Sequence, residues 1–245
     1  MQHRLIHGDC LNVLRDSNDA ATCIFADPPD NLGLSYDQYD DSRSESDYCN
    51  FLHSCIELFI HKARIVWISH NVKWNFHIGS IVKDILSKHC WLEAKSCVQV
   101  FTFGQHNQND LGNCHRPLLR LKRKKVHLYP NQIRVPSQRQ LNGDNRADPR
   151  GRVPGDVFDF PRVTGNSRQR RKWCPTQLHE GLIKRCIKLS TLKGDTVIDP
   201  FAGTGTTLRA CKGIGRNCTL IEQSLGYCEK ISAEHGVSIE RIKPR

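Results

Sequence analysis

The stretch DTVIDPFAGTGTT, residues 195–207, decides how the rest of the chain is read. Its apolar, β-branched run stops at Asp199-Pro200, because proline brings no backbone N–H and holds the residue before it extended. Gly203 and Gly205 then lead through Thr206 and Thr207 into a helix. Strand, glycine turn and helix in that order form a setting in which a ligand reaches the backbone and the helix N-terminus. Seventeen positions after Gly205 the next apolar strand ends in Glu222, where an acid can accept hydrogen bonds from ribose hydroxyls. A nucleoside-containing cofactor is expected. Two phosphate-loop types do not fit: no Gly-Lys precedes Thr206-Thr207, and the third glycine of GxGxxG is missing.

On either side the chain alternates strand and helix. Residues 3–8 and 22–27 predict strands, with a helix from about Asp9 to Arg15 between them. A helix over Tyr48–Lys62 carries Phe51, Leu52, Cys55, Leu58 and Phe59 at helical spacing, and Arg64–Ser69 predicts a buried strand. A helix near Asn75–His89 and a strand over Cys97–Phe103 follow, and the pattern breaks at about Gln105. It returns with a helix from His179, the strand Asp195–Asp199, a helix to about Ile214, a strand at Cys218–Ile221 and a helix near Tyr227–His235. Such alternation predicts an α/β fold with a mostly parallel sheet covered on both faces.

The 245 residues predict one domain: 1–115 as one half, a basic insertion over 116–173, and 174–245 as the half that holds the glycine turn. The insertion accounts for the charge. Residues 116–172 hold sixteen Lys and Arg against four acids, while the whole chain carries +11. Density of that kind suits a phosphate backbone, through counterion release and without regard to sequence. RLKRKK (Arg120, Lys122, Arg123, Lys124, Lys125) and RQRRK (Arg168, Arg170, Arg171, with Lys172) are the densest clusters. Arg134, Gln138, Arg139, Gln140, Asn142 and Asn145 offer side chains able to read base edges. Within the insertion, residues 152–163 predict an ordered support, with Val157, Phe158 and Phe160 against the core.

No apolar run is long enough to span a bilayer and the N-terminus lacks a signal segment, which predicts a soluble, cytoplasmic chain. The twelve cysteines form no CxxC pair and no HExxH is present, so they are expected as small buried apolar residues and no metal site is expected.

A second stretch, ADPPDN at 26–31, ends a strand on an acid and two prolines. Together with TQLHEGLIKRCIKLSTLKGDTVIDPFAGTGTT it resembles the S-adenosylmethionine-dependent DNA amino-methyltransferases of adenine N6 and cytosine N4. The catalytic tetrapeptide precedes the cofactor loop, as in that family's permuted β class. The resemblance implies a Rossmann-like methyltransferase fold with a seven-stranded sheet, DNA as the partner, and a base flipped out of the helix. It also implies cofactor contacts from Asp199, Pro200, Phe201, Gly203, Gly205, Thr206, Thr207 and Glu222. HGDCL makes Asp9 and Cys10 adenine-side residues, although Asp9 is equally a helix N-cap, and Thr176 and Gln177 match the segment over the methionine end. Asp27, Pro28, Pro29 and Asp30 form the catalytic motif.

An exocyclic base amine is a poor nucleophile because its lone pair is delocalised. Asp27 and the Pro28 carbonyl, as preorganised acceptors of its two hydrogens, would free that lone pair. C5 methylation of cytosine needs a Pro-Cys nucleophile, and no proline here precedes cysteine. Asp30 departs from the family, which places an aromatic residue there. Tyr36 or Tyr39 can supply the ring, or Asp30 and Asn31 can bond the base edge. The acidic first residue favours adenine N6. Open beside it stand cytosine N4, RNA or a protein amide as substrate, and a catalytically silent binding module. A homodimer is compatible, and no nuclease partner can be named.

Overall fold

In a computed structural model, described over residues 1–17, 20–37, 39–102 and 107–241, the chain builds one nine-stranded sheet. The first part of the chain contributes β1 (His3–His7), α1 (Cys10–Asp16), β2 (Ala21–Ala26), α2 (Glu45–Lys62), β3 (Ala63–Ser69), α3 (Asn75–Lys88), β4 (Leu92–Val100) and β5 (His115–Arg123). Then follow α4 (Gln138–Leu141), β6 (Val157–Asp159), α5 (Glu180–Ser190), β7 (Thr196–Asp199), α6 (Thr206–Ile214), β8 (Asn217–Glu222), α7 (Leu225–His235) and β9 (Ile239–Arg241). The strand order is β6-β4-β5-β3-β2-β7-β8-β1-β9, with β5 antiparallel to both neighbours and every other pair parallel.

The central strands are apolar on both sides, as a sheet covered on two faces requires. Ile24 and Ala26 of β2 pack with α1, α2 and α3, whereas Cys23 and Phe25 pack with α5, α6 and α7. Ser44 caps α2 by accepting from the Asp47 N–H, and Glu45 and Asp47 in its first turn favour the positive end of the helix dipole. The β2–β7 pairing, Cys23 opposite Val197 and Ile24 opposite Ile198, joins the two ends of the chain into one layer.

The expected seven strands become nine. β6 and β9 have three residues each, too few to show alternation. β4 begins at Leu92, earlier than the expected Cys97; Phe103 and the break at Gln105 lie outside the described residues. The larger difference is β5, which the sequence reading assigned almost wholly to the insertion. Its Leu118 and Leu121 are buried, Arg120 between them lies over the Trp67 ring, and Lys122 beside them is buried as well. In β6 Phe158 is buried and Phe160 is partly buried against the same face, but Val157 points out and is half exposed. All twelve cysteines are free thiols; Cys90 and Cys114 are exposed, against expectation, and Cys49 is half-buried. Among the described residues no helix is long and apolar enough to cross a membrane.

Candidate active site

The sheet order sets the C-terminal ends of β2, β7, β8 and β1 side by side. Each is followed by or ends in an acid, respectively Asp27, Asp199, Glu222 and Asp9, and all four line one cavity. Carboxyl ends of parallel strands are where open α/β sheets bind ligands.

The glycine turn forms the floor. Gly203 and Gly205 hold φ of 51° and 69°, the left-handed region that a side chain would strain, and Gly205 caps α6. The Gly203 N–H donates to Glu222 Oε2 at 2.8 Å and the Ser224 N–H to Oε1 at 2.9 Å. Asp199 accepts from the Phe201 N–H at 2.9 Å and from the Thr207 hydroxyl. Burial pushes both Asp199 and Glu222 up to about 7, and among the described residues neither has an ion pair. Thr206 and Thr207 line the cavity, and the Thr206 hydroxyl is shared between Thr204 at 2.8 Å and Arg209 at 2.7 Å. Pro200 and Phe201 line the cavity, and the Phe201 ring lies edge-on to Phe51.

The DPPD segment is braced from several sides. Tyr48 donates its hydroxyl to the Pro29 carbonyl at 2.5 Å and Trp74 donates Nε1–H to the Asp30 carbonyl at 2.6 Å. Among the described residues no donor occupies the Pro28 carbonyl. The loop beyond turns at Asn31, φ 51°, and is tied by Asp41, whose carboxylate accepts from the N–H groups of Asn31, Leu32 and Leu34 at 2.8, 3.0 and 3.1 Å. Arg116, at the start of β5, reaches both acids of the motif. Its Nη2 donates to Asp27 Oδ1 at 2.8 Å, Nη1 and Nη2 donate to Asp30 at 2.8 and 2.9 Å, and Nε donates to Ser69 Oγ at 2.6 Å.

These contacts correct the reading of Asp30 and Asn31 as contacts to a base edge. Asp30 is buried against Arg116 and lies outside the cavity lining, and the Asn31 amide is spent on the Arg43 backbone at 2.8 and 2.9 Å. Asp27, Pro29, Tyr36 and Tyr39 do line the cavity; Pro28, between the first two in the motif, is buried and is not among the lining residues. The Tyr36 ring stands edge-on to Tyr39, and its hydroxyl meets Thr176 Oγ1 at 3.2 Å. Asp9 both caps α1, accepting from Asn12 at 3.0 Å, and lines the cavity beside Cys10. Gln177 lines it too, with its amide bonded to Arg171 and Gln169.

The basic residues divide. Lys122 is buried, donating to the carbonyls of Arg123, Lys124 and Val126 and pairing with Glu93 at 2.9 Å, so its ammonium is not a surface charge as expected. Arg120 lies over the Trp67 ring and Arg123 over Trp91. Arg134 holds the Gly151 carbonyl, Arg170 the Pro175 carbonyl, and Arg171 pairs with Glu234. Lys124, Lys125, Arg139, Arg168 and Lys172 are exposed. Spacing gave no hint of Arg116, Trp74, Tyr48 or Asp41, which reach the motif from distant positions. Nor did it show Glu57, His61 and His89, whose ligand-type atoms lie within 4.8 Å of one another, the carboxylate hydrogen-bonded to both rings.

A family model described as DNA methylase (N6_N4_Mtase) matches residues 21–234, and the chain belongs to that family. It is 30% identical to Type II methyltransferase M.BamHI of Bacillus amyloliquefaciens over 93% of this chain and 56% of that protein. So the chain spans little more than half of that relative. It is 28% identical to DNA adenine methyltransferase YhdJ of Escherichia coli (strain K12), over 91% of this chain and 79% of that one. Among solved structures, the cytosine-N4-specific PvuII DNA methyltransferase superposes with a TM-score of 0.73 at 11% identity, covering 96% of this chain and 86% of the other. The M1.HpyAVI–SAM complex gives 0.66 at 19% identity, covering 95% and 98%. Both share the fold: an α/β sheet, mostly parallel, with helices on its two faces.

Proposed function

We propose that this chain transfers a methyl group from S-adenosylmethionine to the exocyclic amine of a flipped-out base in DNA, and that the base is adenine. The observation that carries the reading is Asp27, a carboxylate fixed at a strand end by Arg116 and the Ser69 hydroxyl, facing the cavity that Asp199 and Glu222 also line. The acidic Asp27 favours adenine over cytosine in this family.

The donor set suits the cofactor. Asp199, buried, and Glu222, half-buried, both without a cationic partner among the described residues, call for a ligand bringing hydroxyl donors and positive charge, which a ribose and a sulfonium amino acid supply. Glu222, Asp9 and Cys10 would hold the nucleoside side, and Asp199, Gly203, Gly205 and Thr176 the methionine side. When bound, S-adenosylmethionine supplies an electrophilic methyl group.

The chain's own residues prepare the nucleophile. Asp27 would accept a hydrogen bond from one amine N–H, and the Pro28 carbonyl, to which no donor among the described residues is bonded, from the second. The nitrogen is drawn toward tetrahedral geometry and its lone pair is released from the ring. Because prolines flank the carbonyl and Tyr48 and Trp74 hold the next two carbonyls, these acceptors need no reorganisation as the reaction proceeds. Tyr36, rather than Asp30, offers a ring to the base. Exposed Lys124, Lys125, Arg139, Arg168 and Lys172 would hold the phosphate backbone without reading sequence.

The test is mass spectrometry of nucleosides from unmethylated DNA incubated with the chain and S-adenosylmethionine. N6-methyladenine is expected. N4-methylcytosine would move the assignment to the other base, and no methylated nucleoside despite cofactor binding would overturn the reading.

A further inference from the structure

The guanidinium of Arg116 uses four of its five N–H donors on three side chains: twice on Asp30, once on Asp27 and once on Ser69. The two-point contact with Asp30 fixes the plane of the fork, and the Ser69 bond fixes its rotation about the long axis. Only then does the remaining Nη2–H meet Asp27 Oδ1. The Asp27 side chain keeps 23% exposure while that of Asp30 keeps 6%, so the first acid faces the cavity and the second is buried behind it.

We propose that Arg116 is the positioning residue of the amine-acceptor site, with Asp30 as its anchor: the fork, together with the Ser69 hydroxyl, fixes the Asp27 carboxylate so that its exposed part meets the substrate amine in the cavity. The inference rests on the methyl-transfer reading above and assigns the motif's unusual fourth residue a structural purpose. An aromatic residue at position 30 could not hold the fork, and in this chain Tyr36 and Tyr39, beyond the motif, bring rings to the cavity instead.

The charges around Asp27 make the idea testable. Asp30 from the same loop, Asp199 from the end of β7, Tyr36 from the following loop and Cys174 from across the cavity all face it, and none is cationic. His70, beside Arg116, is pushed down to about 4 by burial and so is neutral near pH 7. Arg43 lines the same cavity, but among the described residues Arg116 is the cation that chiefly offsets the burial pushing the Asp27 carboxyl up; the Ser69 hydroxyl acts in the same sense and Asp30 in the opposite one. Removing Arg116 or Asp30 should shift the protonation of Asp27, in opposite directions.

The experiment measures kcat, KM and the acid limb of the kcat–pH profile for wild type, Arg116→Gln, Arg116→Lys and Asp30→Asn, with cofactor binding and melting temperature alongside. Arg116→Gln is expected to lower kcat about a hundredfold, the scale of an ångström-level misplacement, and to move the acid limb to higher pH by about one unit. Asp30→Asn should lower kcat by about tenfold as the fork loosens, yet move the acid limb to lower pH. Arg116→Lys should restore the position of the limb and only part of kcat, since an ammonium keeps the charge without the fork. A residue that merely braced the loop would shift both limbs alike or neither, and that result overturns the proposal. Should Arg116→Gln not fold, the direction of the Asp30→Asn shift decides. Wild-type protein that binds cofactor and transfers nothing would instead fail the methyl-transfer reading itself.

Discussion

Asp27 has a guanidinium 2.8 Å from one of its oxygens, whereas Asp199 and Glu222, on the same cavity, accept from backbone N–H groups and a hydroxyl and have no ion pair among the described residues. The acids come from neighbouring strand ends of one sheet, so topology does not separate them. Their partners do. Asp27 is supplied with its counter-charge by the protein and is ready before any ligand arrives. Asp199, buried, and Glu222, half-buried, have no cationic partner among the described residues, which on the proposed function leaves that role to the cofactor. On the proposed function, chemistry and binding are thereby divided among similar side chains.

The largest effect that would break this division is at Asp27. Asp27→Ala should abolish methyl transfer while the cofactor dissociation constant stays close to that of wild type, as read by transfer assay and calorimetry. A variant that still transfers would remove the amine acceptor from the account.

Next in size are the two unpaired acids. Asp199→Asn and Glu222→Gln should each weaken cofactor binding by about tenfold, one charge-assisted hydrogen bond's worth. Their effect on stability has the opposite sign. In the folded chain each acid titrates at about 7, while unfolded it returns to the ordinary carboxylate range. Between those values the folded state holds more protons than the unfolded state, so stability is lost as pH rises toward 7. At pH 8 the neutral amide variants should melt higher than wild type, by about 2–4 °C for each kcal/mol recovered. Lower melting temperatures at pH 8 would mean that these carboxylates are satisfied without a ligand.

Smaller still is the contrast between the two basic runs. Lys122, buried among three carbonyls and Glu93, should act on folding: Lys122→Met is expected to cost about 1–3 kcal/mol in denaturant unfolding, from the acceptors left unpaired. Arg168→Ala should leave stability alone and reduce the salt dependence of DNA binding by about one phosphate contact. Exchange of those two phenotypes would reverse the placement of the runs.

The same two runs show where sequence reading succeeds. Strands β2, β3, β7 and β8 and helices α2, α3, α5, α6 and α7 are legible because each carries its apolar pattern and its boundary residues locally. The carboxyl-end acids are legible for the same reason, each sitting where an apolar run stops. β5 was hidden because its Leu118 and Leu121 are interleaved with Arg and Lys, and composition alone does not tell a stem lying along a sheet from one reaching a phosphate. Arg116 carries no local signal; its partners lie 47 to 89 residues away along the chain and meet it only through the β3–β5 pairing. Asp30 was visible as an exception to a family pattern, but its purpose was not, because the residue that explains it is the one that could not be seen.

The most direct measurement of this division is a carbon-13 NMR titration of the side-chain carboxyls of Asp27, Asp199 and Glu222, with and without S-adenosylmethionine. The account predicts that Asp199 and Glu222 titrate near 7 in the free chain and fall on cofactor binding, while Asp27 responds little to the cofactor and strongly to Arg116→Gln. Asp199 and Glu222 already ionised at pH 5 in the free chain, and unmoved by cofactor, would contradict it.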